Sequence, residues 1–205
     1  MKRILITVIA ALLTVSTFAQ RDKSLLDRTT YFGVRFGLNL SNVSGDATSD
    51  MGTSPGLIFG GIMGLSLSDT NPICIETGAF YSERGGQHGS YEYNLNYVEV
   101  PVLIKFGFEL NEDLLVTPLA GPYFSYAISG KQKEPGKARE TSFGVNKFER
   151  WDMGFKLGCG AEYKSLYLEA GVQIGMANIH RNPKDAINEL TRHGNAVYVQ
   201  FGINL

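Results

Sequence analysis

Charge is scarce in this chain: Asp, Glu, Lys and Arg make up 19% of its 205 residues, against about 25% in an ordinary soluble protein. Neither sign prevails, because 19 Lys+Arg face 20 Asp+Glu. A nucleic-acid binder working through a basic surface is thereby excluded. Two cysteines cannot staple a disulfide-dense scaffold. Beyond the first nineteen residues no apolar run approaches the roughly 20 residues of a membrane helix. Disorder is excluded as well, since 43% of the residues are hydrophobic and the formal net charge is only -1. Glycine, by contrast, is plentiful, with 24 residues where a share of about 7% is usual.

Lys2 and Arg3 precede an apolar stretch from Ile4 to Val15, and Thr17-Phe18-Ala19 follows. A basic start, a short apolar core and small residues at a cleavage triplet form the layout of a secretory signal peptide. The expected domains are a signal peptide over 1–19, a polar lead-in over 20–30 and one barrel domain over 31–205. Cleavage near Ala19-Gln20 removes Lys2 and Arg3 and takes the formal charge to −3.

From Tyr31 onward the dominant period is two, the signature of a strand. Eight segments alternate: Tyr31–Leu40, Gly56–Leu67, Ile73–Arg84, Tyr97–Phe108, Leu115–Ser129, Trp151–Tyr163, Tyr167–Met176 and Val197–Leu205. The clearest is the sixth, where Trp151, Met153, Phe155, Leu157, Cys159, Ala161 and Tyr163 oppose Asp152, Gly154, Lys156, Gly158, Gly160 and Glu162. The fifth is the weakest, because Pro118 and Pro122 cannot donate to a ladder and predict a bulge or irregular pairing. Short gaps (Ser68–Pro72, Glu109–Leu114, Lys164–Ser165) alternate with long ones (Ser41–Pro55, Gly85–Asn94, Gly130–Glu149, Asn178–Gly194). An even strand count with short turns at one end and long loops at the other predicts an all-β, eight-stranded antiparallel up-and-down transmembrane β-barrel.

Alternation alone suits a soluble exported lipocalin-like binding barrel equally well, with its apolar face inward. Three features favour the inverted arrangement. Glycine crowds the polar face, where it leaves room for large neighbours. Arg35, Glu76, Arg84, Glu99, Lys105, Asp152, Lys156, Glu162 and Glu169 share that face with nearly balanced signs, as a lumen requires, because an isolated buried ion costs several kcal/mol. Trp151 and Tyr163 lie twelve residues apart on one apolar face, roughly 30 Å along the membrane normal at ~3.3 Å per residue and ~40° tilt, which suits two aromatic girdles.

Several segments resemble the PorT-like outer-membrane β-barrel family: Gly33-Val-Arg-Phe-Gly-Leu-Asn-Leu-Ser-Asn42, Phe80-Tyr-Ser-Glu-Arg-Gly85, Tyr97-Val-Glu-Val-Pro-Val-Leu-Ile-Lys105, Gly121-Pro-Tyr-Phe124 and Gly158-Cys-Gly-Ala-Glu-Tyr163. The Tyr-x-Glu-x-Pro-x-x-x-Lys stretch is the most distinctive of them. The resemblance implies an eight-stranded porin-family barrel in the outer membrane of a Gram-negative bacterium, of the OmpA-like size class. The family's named member is associated with protein export by a secretion machinery, but most relatives are unassigned barrels. The chain departs from outer-membrane habit by ending in Leu205 instead of an aromatic residue, with Phe201 on the same face.

Little catalytic chemistry is visible. His88, His180 and His193 fall in expected loops, with Asp185 and Glu189 as conceivable partners for a rim enzyme, but no ordered triad or metal-ligand spacing accompanies them. Cys74 belongs to the lumen face and Cys159 to the lipid face, so a bridge would have to cross the wall. The expectation is no enzyme, no metal and no cofactor. Lys131, Lys133, Lys137, Arg139 and Lys147 outnumber Glu134 and Glu140 in one loop, a pattern that favours lipopolysaccharide or another anionic envelope partner. The reading is a monomeric barrel of outer-membrane lipid, with a side-chain-filled lumen and a structural or interaction role. A secretion-system accessory is the alternative.

Overall fold

The computed structural model describes residues 29–45, 51–67, 72–88, 91–111, 113–133, 140–141, 150–177 and 192–205. The expected signal segment and the lead-in up to residue 28 lie outside them. The strands are β1 (Thr30–Gly45), β2 (Met51–Ser66), β3 (Ile73–His88), β4 (Tyr91–Phe106), β5 (Phe108–Asn111), β6 (Leu114–Lys133), β7 (Glu140–Thr141), β8 (Trp151–Tyr163), β9 (Leu166–Gly175) and β10 (Arg192–Asn204). β5 follows β4 after Gly107 and pairs the same neighbour, β6; β7 is a two-residue pairing on β6. Eight staves therefore make the wall, each antiparallel to its neighbours. β1–β10 and β4–β6 close the ring.

The register fixes the geometry of the cylinder. Partners traced from Ala161 on β8 run through Leu168, Phe201, Phe36, Phe59, Tyr81, Val98 and Tyr126, and return to β8 at Trp151, ten residues from the start. Eight strands with such a stagger tilt by about 40° and enclose an interior just wide enough for side chains. Large apolar side chains face outward and charged ones inward: Trp151 is 62% exposed, Phe36 46% and Leu157 44%, while Lys105 and Glu99 are 0%. This is the inside-out arrangement of a membrane barrel, not that of a lipocalin-like fold.

At one end the turns are tight. Lys164, at φ 58, carries the chain from β8 to β9, and Asn111 Oδ1 accepts from Asp113 N at 3.1 Å and Leu114 N at 2.9 Å in the turn before β6. The opposite end differs from the sequence reading. Most of the expected loops Ser41–Pro55 and Gly85–Asn94 is strand, since β1 runs to Gly45, β2 starts at Met51, β3 ends at His88 and β4 starts at Tyr91. The sequence of these extensions lacks the alternation by which strands are recognised.

The fifth segment is irregular on one side and regular on the other. As β6 it is the longest strand, 20 residues, and its register with β8 is unbroken through Pro118↔Cys159 and Pro122↔Phe155. On its other side the ladder with β4 skips from Pro101↔Tyr123 to Ile104↔Ala120, across Pro122, and ends at Lys105↔Leu119, short of Pro118, resuming with β5 at Phe108↔Val116; a further shift falls opposite Asn96/Tyr97, at Ile128. The unbroken pairing with β8 holds β6 in place where the missing proline amides interrupt the ladder on the β4 side.

Candidate functional site

The only place where the described chain gathers polar side chains in number is the lumen. All nine charged residues expected on the inner face are buried there, because each stands at an inward position of its strand. They form two groups along the axis.

Toward the tight-turn end, Lys105 Nζ lies 2.7 Å from Glu76 Oε1 and 3.2 Å from Glu169 Oε2, and donates to Tyr167 OH at 2.7 Å. Arg35 stands 3.5 Å from Glu76 Oε2 and donates to Asn204 Oδ1 at 2.6 Å. Asn204 Nδ2 in turn donates to Glu162 Oε2 at 2.8 Å. Tyr31 OH donates to Glu76 Oε2 at 2.9 Å. Toward the long-loop end, Arg84 pairs with Glu99 and, at 2.6 Å, with Asp152 Oδ2. Lys156 Nζ lies 2.5 Å from Glu99 Oε1, and Gln173 Nε2 donates to Glu99 Oε2 at 2.8 Å.

Tyr198 joins the two groups: its hydroxyl donates to Glu169 Oε1 at 3.0 Å, and its ring lies 4.8 Å from Lys156 Nζ. Arg35 and Lys105 sit 4.0 and 4.4 Å from the Tyr167 ring, and Arg84 lies about equally far from Tyr97 and Tyr123. Each cation thus meets both a carboxylate and an aromatic face, which is how a charge is held away from water.

The glycines explain how the rings fit. A Cβ at Gly64 would overlap the Tyr31 ring, and one at Gly160 would overlap Tyr167. Sequence reasoning left out part of this lining. Tyr31 and Tyr123 stand on the inner face, as do the apolar Ile58, Ile62, Phe80, Leu103, Leu115 and Leu119. Their odd–even position relative to Arg35, Glu76, Lys105 and the glycines was the available signal. Apolar side chains at inward positions escaped it because they break the expected polarity.

On the outer face Trp151 packs against Tyr126 with ring centroids 4.9 Å apart, and Tyr163 lies beside Lys164. Cys74 and Cys159 are both free; Cys74 Sγ lies 3.7 Å from Tyr31 OH in the lumen and Cys159 is exposed on the outside. Lys131 and Lys133 have their backbone in β6, whereas Lys137, Arg139 and Lys147 lie outside the described residues, as do His180, Asp185 and Glu189. His88 closes β3, and His193 lies in β10. Among the described residues no group of three or more His, Cys, Asp or Glu side chains could hold a metal ion.

The distinctive Tyr-x-Glu-x-Pro-x-x-x-Lys stretch acquires a physical meaning here. Tyr97, Glu99, Pro101 and Lys105 are spaced by even numbers on β4, so all four are inward and buried. Tyr97 faces Arg84, Glu99 binds three partners, the Pro101 carbonyl accepts from Thr77 Oγ1 at 2.8 Å, and Lys105 anchors the other group. The motif encodes the packing of the lumen.

Comparison with solved structures places the fold. Neisserial surface protein A (NspA) matches with a TM-score of 0.52 at 14% identity, covering 84% of this chain and 96% of that one. A major outer membrane protein of Thermus thermophilus gives 0.48 at 13%, covering 87% and 100%. Ail of Yersinia pestis, solved with the heparin analogue sucrose octasulfate, gives 0.47 at 12%, also covering 87% and 100%. No curated protein matches the sequence. The family profile described as Outer membrane protein beta-barrel domain matches residues 18–181. The chain therefore belongs to that family and is a small β-barrel protein of the bacterial outer membrane.

Proposed function

We propose that this protein is a barrel without a solute path, whose role lies in what its long-loop end displays to the envelope and not in transport or catalysis. The observation that carries this reading is the filled lumen. Four cations and five carboxylates, all buried, are joined through Tyr167, Tyr198 and Gln173 across an interior that eight strands make just wide enough for side chains. Moving a solute through would require separating buried ion pairs, each costly to break. Recording across a planar bilayer holding the purified full chain tests it. The expected result is no stable large conductance, and a stable open level overturns the reading.

The same reading has the chain exported on its N-terminal signal, cleaved near Ala19-Gln20, and acting as a monomer without cofactor. The partner class it favours is an anionic envelope component such as lipopolysaccharide, met by Lys131, Lys133, Lys137, Arg139 and Lys147. The narrower PorT-like kinship, and with it a secretion-accessory role, rests on the Tyr97–Lys105 stretch. Since those residues serve lumen packing, the stretch supports a shared barrel interior and adds nothing for a secretion partner. Co-purification of secretion components with the full chain is the result that would favour that second role.

A further inference from the structure

At the height of the outer aromatic pair the wall is not uniform. On β6 and β8 that height is marked by Tyr126 against Trp151. The ladder climbs to this pair from Tyr81 on β3 through Val98 on β4. Two residues beyond Tyr81 along the rising β3, Glu83 reaches about the height of Tyr126, and Asn96 on β4 is its direct partner. The Tyr81 ring lies 5.0 Å from that of the exposed Phe59, so Glu83 and Asn96, which share the face of Tyr81 and Val98, look outward as well. The outer rim is aromatic on β6 and β8 and carries acceptors on β3 and β4.

Among the described residues Glu83 is the only charged side chain on the outer face between the heights of Trp151 and Tyr163. Its Oε2 accepts from Leu57 N at 3.4 Å and its Oε1 from Tyr81 OH at 3.2 Å. These two bonds cover the bulge between β2 and β3, where Thr53↔Gly86 is followed by Ile58↔Ser82. The wall behind is closed, since a Cβ at Gly56 would strike Glu83 O at 2.0 Å. Both bonds to the carboxylate are long, and an ionised carboxylate can accept about four. Neither donor carries charge, and no salt bridge reaches Glu83 among the described residues. Asn96 Oδ1 beside it accepts no hydrogen bond. An acceptor without a donor is costly, and so is an uncompensated charge on a lipid-facing wall.

We propose that Glu83 and Asn96 hold the primary ammonium of a membrane lipid head on the outside of the barrel. An ammonium brings three N–H donors and the missing positive charge, and the Tyr81 ring beside the carboxylate adds cation attraction. The lipid's tails lie along the half-exposed Leu57, Phe59 and Val98 below. Charge complementarity makes the choice: Glu83 repels a phosphate or sulfate, and a neutral hydroxyl leaves its charge unbalanced. This goes beyond the binding of an anionic partner by the basic loop and does not depend on it, because the head group has the opposite sign and meets different strands.

The test places the full chain in nanodiscs of phosphatidylcholine, replaces that lipid stepwise by phosphatidylethanolamine, and follows amides by NMR. The two heads carry the same charges, but only phosphatidylethanolamine has N–H donors. The Leu57 backbone amide and the Asn96 side-chain amide are expected to shift to a plateau, while those of Ile174 and Val197, outward on β9 and β10, stay put. Glu83→Gln is expected to abolish the plateau at Asn96. Should that variant fail to fold, Asn96→Leu is expected to raise the half-saturating fraction read at Leu57 roughly threefold, the scale of one lost hydrogen bond. A shift that never saturates, that appears equally at Ile174 and Val197, or that persists in Glu83→Gln overturns the proposal. So does the same plateau with phosphatidylglycerol, which offers hydroxyls and no cation.

Discussion

Lys105 Nζ stands 2.7 Å from Glu76 Oε1, a contact that spans from β4 to β3 with both side chains buried. Removing one partner leaves a charge facing a low-dielectric interior. Lys105→Met, which takes the nearest cation from both Glu76 and Glu169, is expected to cost about 3–5 kcal/mol. The double variant with Glu76→Gln should cost less than the two singles added. Reversible urea unfolding in lipid vesicles reads the cycle, and strict additivity would contradict the pairing.

Leu157 lies six residues from both Trp151 and Tyr163 on β8, at the centre of the outward-facing apolar band. Leu157→Lys is expected to destabilise the barrel by about 2–4 kcal/mol, and Trp151→Lys at the interface by only about 0–1. Equal, small effects in vesicle unfolding would mean that this face does not meet lipid.

Gly64 gives its side-chain space to the Tyr31 ring. Gly64→Ala should destabilise by about 1–3 kcal/mol through overpacking. Against Tyr31→Ala the same change should be nearly silent, because the ring it strikes is gone. The loss of heat-modifiable migration on a gel, followed as a melting curve for each variant, checks this.

Replacing Lys131, Lys133, Lys137, Arg139 and Lys147 together by Gln should weaken association with lipopolysaccharide at low salt and change little at high salt, where the attraction is screened. Surface plasmon resonance on captured lipopolysaccharide measures it. Unchanged binding at low salt would remove the loop from the proposed function.

Much of the barrel was legible in the chain because one solvent boundary acts on each residue in turn. Trp151 to Tyr163 can alternate so cleanly because lipid lies on one side of β8 and a polar lumen on the other. Where that boundary ends, the signal ends with it. Ser41–Gly45 and Gly85–His88 are strands that the sequence reads as loops. Ile58, Phe80 and Leu119 face inward against the expected polarity, since a few apolar groups fill space between the ion pairs and rings. Pro118 and Pro122 interrupt the ladder on the β4 side as their missing donors predict, while pairing with β8 runs unbroken and keeps β6 a 20-residue strand.

By itself, the sequence determined which positions share a face along each strand and that the charged ones gather on one of the two, where their signs would have to balance. Alternation is a local property, carried by each residue's place on its own strand. Only the closed barrel decided which cation meets which carboxylate and that Tyr198 links the two groups. Those depend on a ten-residue stagger around eight strands. No single strand carries that stagger, because it arises when the first strand finds the last.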